Sequence, residues 1–180
     1  MARLAIIGNE LNNISPGVEW TARNAAGWMT LDSTIKRSGS YSVRCTSLSS
    51  GTPKWLGCQY TGGGTGPWFL RVYLRPDTLP SAENTIIVLN NGADVSTPII
   101  WVTLDNTGVL RLYDEDGAIG SASSALTTGS FENRIEVETN ASGGAGACVV
   151  RCLLNGTEFA GSSTRSLSAG TNAIVIGGNL

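Results

Sequence analysis

Histidine is absent from the 180 residues. That removes Ser-His and Cys-His dyads and every His-ligated metal site. Charge is scarce too. Only 14% of residues are Asp, Glu, Lys or Arg, against roughly 25% in ordinary globular domains. Lys36 and Lys54 are the only lysines, beside ten arginines, and the net charge is −2. Nothing here is basic enough to follow a phosphate backbone, so nucleic acid is not expected as a partner. Long apolar runs are missing as well. The opening "MARLAIIGNE" offers one arginine and a four-residue run at 4–7, short of the roughly 7–15 residues of a secretory h-region and the roughly 20 of a membrane span. The expectation is a chain with no visible export signal and no membrane partner. No segment sustains a 3.6-residue apolar period, so no helix is expected.

Cysteine is sparse, at positions 45, 58, 148 and 152. Cys148 and Cys152 fall four residues apart on one extended segment, roughly 13 Å at about 3.3 Å per residue, too far for a bond or a shared metal. Cys45 and Cys58 could meet across a hairpin. Without an export signal, buried thiols are the first expectation, ahead of one disulfide or a zinc site.

What the chain has instead is Gly, Ser, Thr and Asn, together roughly two fifths of it, and an insistent period of two. After the turn at Gly39, "SYSVRC" sets Tyr41, Val43 and Cys45 against Ser42, Arg44 and Thr46. "KWLGCQY" sets Leu56, Cys58 and Tyr60 against Trp55 and Gln59. "WFLRVYLRP" separates Trp68, Leu70, Val72 and Leu74 from Phe69, Arg71, Tyr73 and Arg75, and "RIEVETN" separates Ile135, Val137 and Thr139 from Arg134, Glu136 and Glu138. "CVVRCLLNG" does the same for Cys148, Val150, Cys152 and Leu154. Turn residues sit between such segments, as in "DNTG" (105–108), "EDG" (115–117) and Asn155-Gly156, where Gly supplies positive φ. The pattern predicts eleven to thirteen short strands in one all-β domain over 1–180, a two-sheet antiparallel sandwich or jelly roll.

The order of "GNELNNISPGVEW", "KRSGSYSVRC", "PWFLRVYLRP", "VTLDNTGVLRLYDEDG" and "FENRIEVET" resembles the concanavalin A-like lectin/glucanase superfamily in its laminin-G-like jelly-roll form, in particular short stand-alone members from bacteriophages and metagenomes. The resemblance implies a particle-attached or sugar-binding module before an enzyme. Members of the superfamily usually finish with a further strand after a segment like "IVIGG". The expectation is therefore either that the chain continues past Leu180 or that it dispenses with that strand.

Four constellations could carry chemistry. Glucanases of the superfamily place two carboxylates on an E-x-D-x-x-E strand. The nearest match is Glu136-Val137-Glu138 with Asn140, where the central Asp and the trailing Glu are both missing, so a solvated strand face with Glu136 and Glu138 paired to neighbouring arginines is expected. Asp114, Glu115 and Asp116 in "YDEDG" suit calcium by their hard oxygens, though an EF-hand register would need an Asp at Leu112; a plain hairpin turn competes with weak calcium ligation by Asp114 and Asp116. The stripe Phe69, Arg71, Tyr73 and Arg75 mixes arginine with rings, as partner and glycan faces do, or else packs its stems along the sheet with the heads in water. Trp55 divides between the same alternatives, while Trp20, Trp28, Trp68 and Trp101 are expected to anchor the core. The sequons at Asn13, Asn140 and Asn155 carry little weight without an export signal.

The function expected from these features is a non-enzymatic structural or binding module of a virus particle, a bacteriophage capsid-decoration or tail-associated protein made in the host cytoplasm. It would be oligomeric or bound to other virion proteins, with no obligatory cofactor. A carbohydrate-binding lectin module is the alternative, and a degenerate glycoside hydrolase the third.

Overall fold

The computed structural model of the chain describes residues 22–24, 29–45, 53–91 and 96–178. Within these there is no helix, and the strands are β1 (Ala22–Asn24), β2 (Met29–Asp32), β3 (Ser42–Cys45), β4 (Lys54–Gly64), β5 (Trp68–Leu74), β6 (Asn84–Asn90), β7 (Pro98–Leu104), β8 (Leu110–Asp114), β9 (Gly117–Ile119), β10 (Asn133–Asn140), β11 (Cys148–Leu154), β12 (Thr157–Arg165) and β13 (Thr171–Gly178). Seven make a large sheet in the order β1-β4-β13-β6-β7-β8-β9, four make a small sheet, β12-β11-β10-β5, and β2-β3 stand as a hairpin. Every pairing is antiparallel. The expected all-β two-sheet sandwich is the observed one. Trp20, Trp28, Asn13 and the "GNELNNISPGVEW" segment lie outside the described residues.

Alternation builds the interior. Ile100, Val102, Leu110 and Leu112 of the large sheet meet Ile135, Val137, Val150 and Cys152 of the small one in a single apolar cluster, with Leu70, Val72 and Leu74 of β5 packed on its edge. Each such side chain, once buried, contributes about 1.5–3 kcal/mol. A second cluster of Met29, Leu56 and Cys58, flanked by Val43, Cys45 and Ile176, seats the β2–β3 hairpin on the same inner side. Ile176 belongs to both clusters, so the interior is continuous. Cys45 and Cys58 do face one interior, but from different sheets rather than across one hairpin.

The turns form where the sequence places them. Asp105 Oδ1 accepts the Thr107 N–H at 2.8 Å and the Val109 N–H at 3.0 Å, with Gly108 at φ 84°. Asn155 and Gly156 take φ 55° and 87°, two positive values in a row as a tight hairpin demands. At Gly120 (φ 63°) a Cβ would come within 2.8 Å of the Ala160 backbone, so the chain leaving β9 can lie against β12 only as glycine.

One buried amide organises the approach to β10. Asn133, 1% exposed, shares its two amide hydrogens among the carbonyls of Leu74, Thr127 and Ser130 at 3.0, 2.8 and 3.1 Å, while its Oδ1 accepts the Thr127 N–H at 2.8 Å. The 127–130 loop is thereby fastened to the end of β5.

Candidate functional site

The outer face of the small sheet carries the stripe singled out in the sequence. Phe69 stands 51% exposed and is the large apolar side chain most open to solvent among the described residues. Arg71 lies opposite Glu136 in register and bonds it at 2.7 Å, and Arg134 reaches the other oxygen of Glu136 at 3.1 Å. Arg151 bridges Glu138 at 3.4 Å and Glu158 at 2.5 Å, and the Glu158 bond raises the arginine's pKa above its usual value. Glu136 and Glu138 therefore sit on a strand face tied to arginines. Arg75 pairs with Asp77 at 2.9 Å and lies over the Phe131 ring at 5.8 Å. Tyr73 is half-buried, with the Arg37 guanidinium 3.6 Å above its ring. Beside Tyr73 opens a shallow depression of about 680 Å³, lined by Lys36, Arg37, Phe131, Arg134 and Asn155 among others.

Trp55 does not join this stripe. It lies on β4, in the other sheet, 9% exposed and packed with Val88 and Val175. β4 is buried on both faces through residues 54–58, which is why a tryptophan opposite the core-facing Leu56 is still covered.

The outer face of the large sheet holds a second constellation. Trp101, expected as a core anchor, stands on it half-buried, directly opposite Tyr113 in register. Their rings are nearly parallel, 5° apart with centroids at 5.9 Å. Two residue pairs further, on the same face, Thr103 stands opposite Arg111. Glu83, just before β6, accepts from Thr103 Oγ1 at 2.5 Å and from Tyr113 Oη at 2.9 Å, both on Oε1. Burial, and then the Glu83 bond, push the Tyr113 phenol above its ordinary pKa, so it stays a donor. Val88 flanks Trp101 and Ala118 flanks Tyr113 in the same cross-strand row. Ala118 brings only a methyl group, so the far face of Tyr113 has no bulky neighbour in that row.

The signal for this face was in the alternation. In "PIIWVTLD" Trp101 and Thr103 oppose Ile100, Val102 and Leu104; in "VLRLYD" Arg111 and Tyr113 oppose Leu110 and Leu112. Read as a pair of strands, the two segments put a Trp, a Tyr, a Thr and an Arg together on the non-core side. Glu83 had no such signal, because it arrives from a loop.

The acidic turn has a structural use. The Asp114 carboxylate is wholly buried and is gripped by Arg165 of β12, with Nε 2.5 Å from Oδ2 and Nη2 on Oδ1; its Oδ1 also accepts the Asp116 N–H at 3.0 Å. The Asp114 carboxylate raises the Arg165 pKa through the bond to its guanidinium. Glu115 accepts from the Ser168 backbone and hydroxyl. A guanidinium thus sits where a calcium ion bound by Asp114 would need to be, and among the described residues no cluster of three or more His, Cys, Asp or Glu converges on a metal position.

Neither a family model nor a curated protein sequence matches the chain. Solved structures do. Over 89% of this chain and 83% of the other, the fold superposes with a TM-score of 0.62 at 18% identity on "Cellulose induced protein, Cip1". The carbohydrate binding module CBM66 from Bacillus subtilis follows at 0.48 and 10% identity, covering 87% and 88%; the endo-β-1,4-glucuronan lyase from the fungus Trichoderma reesei stands at 0.48 and 11%, covering 88% and 79%. The likeness to Cip1 is a likeness of fold, a β-sandwich with antiparallel sheets.

Proposed function

We propose that the protein is a non-catalytic carbohydrate-binding module whose ligand lies on the outer face of β7 and β8. The observation that carries this is the Trp101–Tyr113 pair with Glu83 beside it. Sugar rings present C–H faces that stack on aromatic rings, and hydroxyls that need fixed donors and acceptors close by. Trp101 and Tyr113 supply the rings, and the Arg111 guanidinium the donors. Glu83 Oε2, which meets no donor among the described residues, supplies an acceptor. The non-catalytic reading is supported by the small-sheet carboxylates: hydrolysis needs one of a pair to deliver a proton to the leaving group, and Glu136 and Glu138 are both already bonded to arginines.

The test is affinity electrophoresis through gels containing soluble neutral polysaccharides, comparing wild type with Trp101→Ala. Retardation by at least one polymer, weakened about tenfold or more in the variant, supports the reading. Equal retardation of the two proteins contradicts it.

A second reading, attachment to a virus particle as part of the virion, is favoured by one observation, the exposure of Phe69 on an otherwise ion-paired face. Aromatic side chains and arginine are enriched at protein contacts. It predicts self-association or capsid binding that Phe69→Ser abolishes while sugar binding persists.

A further inference from the structure

We propose that Lys36, Arg37 and Arg134 form a second binding site, on the opposite side of the sandwich from Trp101, for the carboxylate or sulfate groups of an acidic polysaccharide. The site is built from the β2–β3 connection and the outer face of β5 and β10. Tyr73 of β5 stands opposite Arg134 of β10 in register, and the Arg37 guanidinium carbon lies over the Tyr73 ring, 3.6 Å from its centroid. That contact seats the Arg37 guanidinium on the face of the ring. Among the described residues no carboxylate pairs with Arg37. A guanidinium seated on a ring, with no carboxylate on its fork, suits two-point recognition of an oxyanion.

The neighbours complete the case. Arg134 is held by Glu136 through Nε, and its Nη2 lies so close over Gly156 that a Cβ there would meet it at 2.9 Å, so the glycine lets the guanidinium lie across the β11–β12 turn. Asn155 uses its Oδ1 on the Arg134 N–H at 2.8 Å, which leaves its amide hydrogens for a ligand hydroxyl. Lys36 lines the same depression. Around it Lys36, Arg37, Arg71 and Arg134 outnumber the carboxylates Glu132 and Glu136, a local cationic excess on a chain of net charge −2. Phe131 adds an aromatic wall. A few cations around an open, ring-lined depression fit a ligand that spaces single anions along a hydroxylated body, not one with a continuous phosphate track.

The saccharide character of the ligand rests on the function proposed above; the anion site itself does not. The test compares migration of the full chain through gels containing polygalacturonate, dextran sulfate or neutral dextran, at low and raised ionic strength. Retardation by the carboxylated or the sulfated polymer is expected, and which of them retards identifies the anion. It should fall with salt, drop about tenfold in Arg37→Ala, drop further in Arg37→Glu, and survive in Trp101→Ala. Arg37 is exposed, so these variants fold. Acidic-polymer binding indifferent to both Arg37 variants, or lost in Trp101→Ala instead, overturns the site, as does the absence of retardation by either acidic polymer. Loss of neutral-polymer binding in Trp101→Ala bears only on the earlier reading.

Discussion

Asp114 and Arg165 tie the two sheets together: one carboxylate from β8, one guanidinium from β12, and no water-exposed surface left on the acid. Arg165 keeps access to water, so removing the acid costs chiefly the charge-assisted bonds, about 1.5–3 kcal/mol. Asp114→Ala should therefore lower stability by that order in urea denaturation, and calcium or chelator should leave the melting temperature of the wild type unchanged. Asp105 gives the pH dependence. The Thr107 hydroxyl first, then the backbone N–H groups of Val109 and Thr107, hold its pKa below the usual 3.8. A carboxylate lowered on folding stabilises the native state above its unfolded pKa and loses that contribution as pH falls through the lowered value. Asp105→Asn should cost about 1 kcal/mol at neutral pH, with the difference from wild type shrinking below about pH 4 in pH-dependent unfolding. Cys152 behaves oppositely: burial pushes its thiol up to about 12, which makes it a packing group and a poor nucleophile. The sequence let this residue be read as buried, because it alternates with Arg151; it did not reveal Arg165 as the partner of Asp114, since the two lie 51 residues apart and only the sandwich brings them together.

At the scale of elements, β8 and β10 were legible because buried and more open side chains alternate along each, and a period of two reports that directly. β4 was half legible. Leu56 and Cys58 announce their face, but nothing in "KWLGC" says that Trp55 on the other face is covered too. The 127–130 loop was not legible, since its order comes from Asn133, whose four bonds reach residues on β5 and in the loop. Asn133→Ala would strand three carbonyls and an N–H. It should destabilise by about 2–4 kcal/mol, and raise amide exchange at residues 127–132 beyond the rest of the small sheet in hydrogen-exchange measurements.

For the whole molecule, the sequence conveyed the architecture and left the site divided. Its alternation predicted two antiparallel sheets, and its candidate binding residues parted on folding. Phe69, Arg71, Tyr73 and Arg75 stay on the small sheet, and Trp55 goes to the large one. The two outer faces differ in kind. One stacks rings beside a carboxylate, the other is an arginine–glutamate lattice that ends in a cationic hollow. The most direct test of the central claim is amide and indole NMR shift mapping with the polysaccharide that retards the protein most in neutral gels, the Trp101 indole signal being assigned with Trp101→Phe. The account predicts the largest shifts at the Trp101 indole and at the amides of Thr103, Arg111 and Tyr113. Shifts gathered on Phe69, Glu138 and Arg151, with Trp101 unmoved, would contradict it.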